Sequence, residues 1–243
     1  ITAMPLEPAP MTQTRGEGLV ELAADMRATL AVVDISVNNA CMAEARKPAS
    51  ARRLPPADRR RQLVACAVSA CADRGLGRTN HASVAERAGV SVPTVFHYFP
   101  NRDALVAAVL AEVQRFFLEL AREAHSGGGA AAERMVAHGR RFLDAARQHT
   151  DYLRVWLDWS TAVREETWPG YLEFQERLVA VVADSIGRDP RHAASQSFRP
   201  EDAARLFVGN AHMAAMMYFA PEAGIDLDEH ICRTVALVLG QDS

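Results

Sequence analysis

Residues 81–105 read "HASVAERAGVSVPTVFHYFPNRDAL", and their punctuation is that of two short helices followed by the start of a longer one. His81–Ala88 forms the first, and Gly89 breaks it, because glycine takes the left-handed geometry of a helix C-terminus without steric penalty. Ser91 is read as the cap of the next helix, and Pro93 fits its first turn, where a missing N–H costs little. That helix runs roughly from Val92 to Phe99, and Pro100 disfavours helical geometry at Phe99. Val95 and Phe99 lie four apart and face a core, Thr94 and His97 fall on the other side, and Phe96 and Tyr98 lie between. Two short helices joined by a glycine turn form a helix-turn-helix, whose second member enters the major groove of DNA.

The flanks extend this unit. Upstream, Asp58 is a plausible N-cap for a helix to about Arg74, with Leu63, Ala67, Ala70 and Cys71 spaced for one buried face and Gly75 and Gly77 ending it. Downstream, Asn101 caps a long helix, "RDALVAAVLAEVQRFFLELAREA", which ends before Gly127–Gly129. Charge follows the same division. The net charge of -3 conceals a basic stretch: residues 42–102 carry eleven Arg or Lys against four Asp or Glu, whereas residues 103–243 carry fourteen against twenty-one. Seven of the basic residues crowd between Arg46 and Arg61. Lys47 is the only lysine, so the positive charge is almost entirely guanidinium, suited to bidentate contact with phosphate or guanine.

Other classes find little support. No stretch approaches the roughly 20 uncharged apolar residues of a membrane span, and the N-terminus lacks a basic region followed by an apolar run, so the expected compartment is the cytoplasm. Cys41, Cys66, Cys71 and Cys232 show neither CxxC nor Cys/His ligand spacing, so buried thiols are expected and no metal site or cofactor. Nucleophile-elbow, zinc-protease, Walker and dinucleotide fingerprints are missing, which leaves no catalytic residue to name and no enzyme to expect. Residues 1–41 read as an isolated acidic segment, and Met42 opens the basic arm "MAEARKPASARRLPP"; the expectation is that Met42 is the natural start and that 1–41 is a non-native or disordered extension.

The block from Arg59 to Leu110, with "FHYFPNRDAL" at its centre, resembles the DNA-binding domain of the TetR family of transcription regulators. "VWLDWS" and "REETWP" narrow the resemblance to the HapR/LuxR/SmcR subgroup of quorum-sensing master regulators. The resemblance implies an all-α homodimer with a three-helix DNA-binding head and a helical body, binding double-stranded DNA at a palindromic operator. Its expected division is a basic arm at 42–57, a head at 58–100 and a regulatory and dimerisation domain at 101–243. It further implies that Arg52 and Arg53 of the arm reach the minor groove, that Asn80, His81, Ser91, Thr94, His97 and Tyr98 serve DNA binding, and that Arg102 takes a phosphate. The subgroup usually has Asn where this chain has His97 and Ala where it has Pro93. Asn pairs bidentately with adenine, whereas His offers one donor or acceptor at a time, so a different target sequence is expected.

In the body, helices are read at Ala131–His149, Asp151 to about Val163, Trp168–Ile186, Pro200–Ala220 and Asp226–Leu239, with Gly187–Pro200 as a loop. Phe116, Phe117, Phe142, Trp156 and Trp159 are spaced either to fill a core or to line a cavity, and the residues alone leave both open. The resemblance implies a pocket at Phe117, Phe142, Trp156 and Gln175, open to a small apolar ligand. It also implies a dimer interface on the last two helices, at Phe207, Met213, Met217, Ile231 and Val235; intramolecular core is the competing account.

Overall fold

A computed structural model describes residues 54–163, 165–193, 199–220 and 224–240 of the chain; Arg52, Arg53 and the 1–41 extension lie outside them. Ten helices and no strand are found among the described residues, as the all-α expectation required. The first three are α1 (Pro56–Arg74), α2 (His81–Ala88) and α3 (Val92–Tyr98).

Helix α1 starts three residues earlier than expected, with Pro55 at its cap position in place of Asp58 and Pro56 opening the first turn. Asp58 does not cap it. Its carboxylate sits inside the first turn and pairs with Arg61. The expected buried face holds: Leu63, Ala67, Ala70 and Cys71 are all enclosed. Gly75 ends the helix at φ 84°, a left-handed value that disfavours any residue with a Cβ, and its amide donates to the Cys71 carbonyl at 2.8 Å. Helix α2 is held by a reciprocal capping box. The Ser83 amide donates to Asn80 Oδ1 at 3.0 Å, and the Asn80 amide donates to Ser83 Oγ at 3.3 Å. Ser91 occupies the cap position of α3, but its hydroxyl makes no cap bond; it pairs sideways with Thr94 Oγ1 at 2.8 Å. Phe99 is extended (φ −134°, ψ 96°) ahead of Pro100.

Asn101 then caps α4 (Arg102–His125), accepting from the Ala104 amide at 2.8 Å. At 24 residues, α4 is about 36 Å long. It is long enough to reach from the first three helices through the body. The body comprises α5 (Ala131–Gln148), α6 (Thr150–Ser160), α7 (Trp168–Gly187), α8 (Pro190–Ala193), α9 (Pro200–Phe219) and α10 (Leu227–Leu239). The loop expected at 187–200 therefore contains a short helix. Asp189, just before it, accepts from the Ala131 amide at 2.6 Å and from the Arg191 amide at 3.0 Å, so one buried carboxylate fixes the start of α5 and the start of α8.

One continuous apolar core runs through the molecule, from Leu63 and Val95 at one end to Val235 and Leu239 at the other. Polar joints tie α1 to the body. Ser69 donates to Asp151 Oδ2 at 2.5 Å, and the Leu76 amide donates to Asp158 Oδ2 at 2.7 Å. Arg102, at the start of α4, donates to the Leu76 carbonyl at 2.6 Å.

Candidate nucleic-acid interface and body cavity

Helix α3 lies at the surface with its inward face fixed by Val95 and Phe99, which are completely enclosed. Ser91, Pro93, Phe96 and His97 are exposed, and Thr94 and Tyr98 are half-buried. The polar side chains expected to read DNA thus share an accessible helix face, with the His97 ring edge-on to Tyr98 at 5.1 Å. Asn80 is exposed, but its side chain already serves the α2 capping box.

His81 is a correction. Its ring is only 5% exposed, and Nε2 bonds the Phe99 carbonyl at 2.7 Å, so its side chain holds the inner wall of the motif and offers DNA nothing directly. Phe96 stacks flat on it, with centroids 3.9 Å apart, while remaining 47% exposed. This half-open aromatic was not assigned a role from sequence, because its helical phase lies between the two faces. Arg60 was also missed as an individual residue. Its guanidinium lies over the Phe99 ring at 5.4 Å, beside the end of α3. Arg102 is exposed and spends one N–H on Leu76, which leaves other donors of its five free for an anion.

The body holds an open-mouthed cavity of about 50 Å³. Five helices besides α10 contribute an aromatic to its wall: Phe117 from α4, Phe142 from α5, Trp156 from α6, Phe174 from α7 and Phe207 from α9. The expected Phe117, Phe142 and Trp156 form a mutually contacting triad with centroids 5.8–6.0 Å apart. Gln175 does not join them. Its amide bonds the Tyr171 hydroxyl, which in turn meets His212 Nε2 at 2.9 Å, outside the cavity wall. Phe116 and Trp159 are also elsewhere. Phe116 packs on Tyr152, and Trp159 donates its indole N–H to the Thr167 carbonyl.

The polar wall is small: His138, Asn210 and Thr234. Asn210 Nδ2 donates to Thr234 Oγ1 at 3.2 Å and its amide meets His230 Nε2, so this pair is internally satisfied. His138 Nδ1 lies 3.1 Å from Nε2 of His125, a ring just 2% exposed at the end of α4. Burial, helped by the nearby Arg134 and Arg188 guanidiniums, pushes the His125 pKa down to about 4; burial pushes His138 down to about 3, with His125 and Arg141 adding to it. Both imidazoles are neutral in the folded protein at ordinary pH.

The expected interface residues divide. Phe207, Ile231 and Val235 are buried within the chain, so they belong to its own core and cavity wall. Met213 is 49% exposed and Met217 is half-buried. The large apolar side chains left open on these two helices are Leu206, Met213, Met216 and Phe219 on α9 and Leu237, at 77% exposure, on α10. Helix α9 is apolar around most of its circumference, and such a pattern does not tell inside from outside.

Among the described residues no group of three or more His, Cys, Asp or Glu is placed to hold a metal, and no helix is long and apolar enough to cross a membrane.

Residues 63–109 match the family described as "Bacterial regulatory proteins, tetR family". Over 158 residues the chain is 35% identical to the HTH-type transcriptional regulator LuxR of Vibrio harveyi, which covers 65% of this chain and 77% of that protein. In three dimensions it is similar to a TetR-like transcriptional regulator from Rhodococcus sp. RHA1, with a TM-score of 0.62, 24% identity, and coverage of 76% of this chain and 96% of that one. It is similar too to the transcriptional regulator FadR of Bacillus subtilis, solved in complex with stearoyl-CoA: TM-score 0.63, 16% identity, coverage 75% and 98%. At these identities the two structures speak for the shared fold alone.

Proposed function

We propose a role that starts from membership: this chain belongs to the TetR family of bacterial regulatory proteins, and it regulates transcription as a homodimer whose two α3 helices read the half-sites of a palindromic operator. The observation that carries the reading is the exposed polar face of α3, bearing Ser91, Thr94, His97 and Tyr98, on a helix whose other face is locked by Val95 and Phe99. Those four side chains read or position the DNA. Arg102 and Asn80 contribute phosphate contacts at the margins, and Arg52 and Arg53 of the basic arm enter the minor groove. Dimerisation buries the open apolar side chains of α9 and α10. The protein acts in the cytoplasm and turns over no substrate.

The identity to LuxR supports a master regulator of the quorum-sensing type. A second reading, a repressor of a neighbouring efflux or metabolic gene that answers a small ligand, is favoured by the aromatic cavity; FadR of Bacillus subtilis, of the same fold, was solved with stearoyl-CoA. Selection of random duplex DNA by the purified chain tests the common core of both. A palindrome with half-sites about one helical turn apart supports the dimeric reader. Enrichment of no sequence by folded protein overturns it.

A further inference from the structure

The geometry points to an uncharged, largely apolar ligand for the body cavity, with one acceptor oxygen held by an N–H that the His125–His138 pair presents at the wall. This rests on the reading of the cavity as a ligand pocket.

His125 Nδ1 is buried and has no hydrogen-bond partner. A buried N–H without a partner is rarer and costlier than a bare acceptor nitrogen. The Arg134 and Arg188 guanidiniums beside the ring also favour a lone pair over a positive N–H there. Neutral His125 therefore carries its proton on Nε2. That N–H donates across 3.1 Å to His138 Nδ1, which must be the acceptor. Neutral His138 then has its proton on Nε2, the one nitrogen of the pair left for a cavity occupant. An orphan nitrogen in the core thus fixes the polarity of the cavity wall across a single hydrogen bond.

The rest of the wall sets the remaining chemistry. Its residues are aromatic and aliphatic apart from His138 and the mutually bonded Asn210 and Thr234, and none is charged. A carboxylate ligand would meet no fixed counter-charge, since burial keeps both imidazoles neutral. A ketone, ester, amide or ether oxygen on an apolar body satisfies the single donor.

Two measurements on the full chain test this. In ¹⁵N-histidine correlation spectra, His138, assigned by its loss in His138→Gln, should show a protonated Nε2 and a bare Nδ1. A protonated Nδ1 overturns the relay whatever the cavity binds. In calorimetry, benzophenone should bind about tenfold tighter than diphenylmethane, its analogue without the oxygen. The preference should vanish in His138→Phe and return in His138→Gln, whose amide can donate. Equal binding of the two probes, or a preference that survives in His138→Phe, overturns the assigned donor while leaving the pocket intact. Binding of neither probe to the unaltered protein overturns the pocket reading itself and the ligand class with it.

Discussion

Gly139 of α5 faces Ile231 of α10 so closely that a methyl group added to it would lie 2.6 Å from Ile231 Cγ2 and 3.1 Å from Cγ1 and Cδ1. Carbon atoms in good contact sit about 3.5–4.0 Å apart, so something must move by close to an ångström in Gly139→Ala. Two effects oppose. Alanine favours a helix interior over glycine by about 1 kcal/mol, while overpacking a closed contact costs about 1–3 kcal/mol. Ile231 is only 4% exposed and its helix is packed on α5, so the second effect wins and the variant should be destabilised by about 1 kcal/mol. The cleaner readout is the cycle with Ile231→Ala, which removes all three crowded atoms. In that background Gly139→Ala should stabilise the protein by about 1 kcal/mol, giving a coupling of about 2 kcal/mol. Urea unfolding at one fixed protein concentration measures all four variants. A Gly139→Ala substitution that stabilises the unaltered protein as much as it stabilises Ile231→Ala would refute the close approach of α5 and α10.

Acid should loosen the body. Unfolded histidine titrates near 6.5 and folded His125 near 4, so its contribution is fully present above 6.5 and is lost as pH falls through 4. His125 alone accounts for about 2 kcal/mol of lost stability at pH 5; His138, His149 and His212, also held down by burial, act in the same direction, and a flat urea midpoint between pH 7 and 5 would contradict this. Leu206→Glu with Leu237→Glu should yield a helical monomer in sedimentation, because both side chains are open on the single chain; a persistent dimer would place the interface elsewhere. Arg52→Ala with Arg53→Ala, which takes four guanidiniums from the dimer, should lower the salt dependence of operator binding by about four in log–log slope, and an unaltered slope would remove the arm from DNA. His97→Asn should change the selected half-site, and an unchanged sequence would take His97 out of the base-reading set.

The helix-turn-helix was legible because its signals are local and steric. Gly89 ends α2 at φ 64°, and Pro100 forces Phe99 out of the helix. Cap identity was less legible. Asp58 and Ser91 are the right residue types, but a preceding Pro–Pro and a nearby threonine hydroxyl redirected them. In the body the helices could be read from periodicity, but not their burial: Phe207, Ile231 and Val235 look like an outward stripe until α5 and α7 are placed against them. The short α8 spans one turn and has no period to detect. His125 and His138 meet only because the turn at Gly127–Gly129 folds α5 back along α4, a closure invisible to spacing rules.

Asp151 and Asp158 stand two turns apart on α6; the first holds Ser69 of α1 and the second holds Leu76, in the turn that follows α1. Trp156, between them in sequence, belongs to the cavity wall. On the proposed function, an occupant that displaces Trp156 moves α6 and with it the two points that α6 holds, Ser69 and Leu76, on the side of the DNA-reading helices. On that reading reciprocity fixes the converse: operator DNA alters the affinity of a cavity occupant by the same factor by which the occupant alters that of DNA.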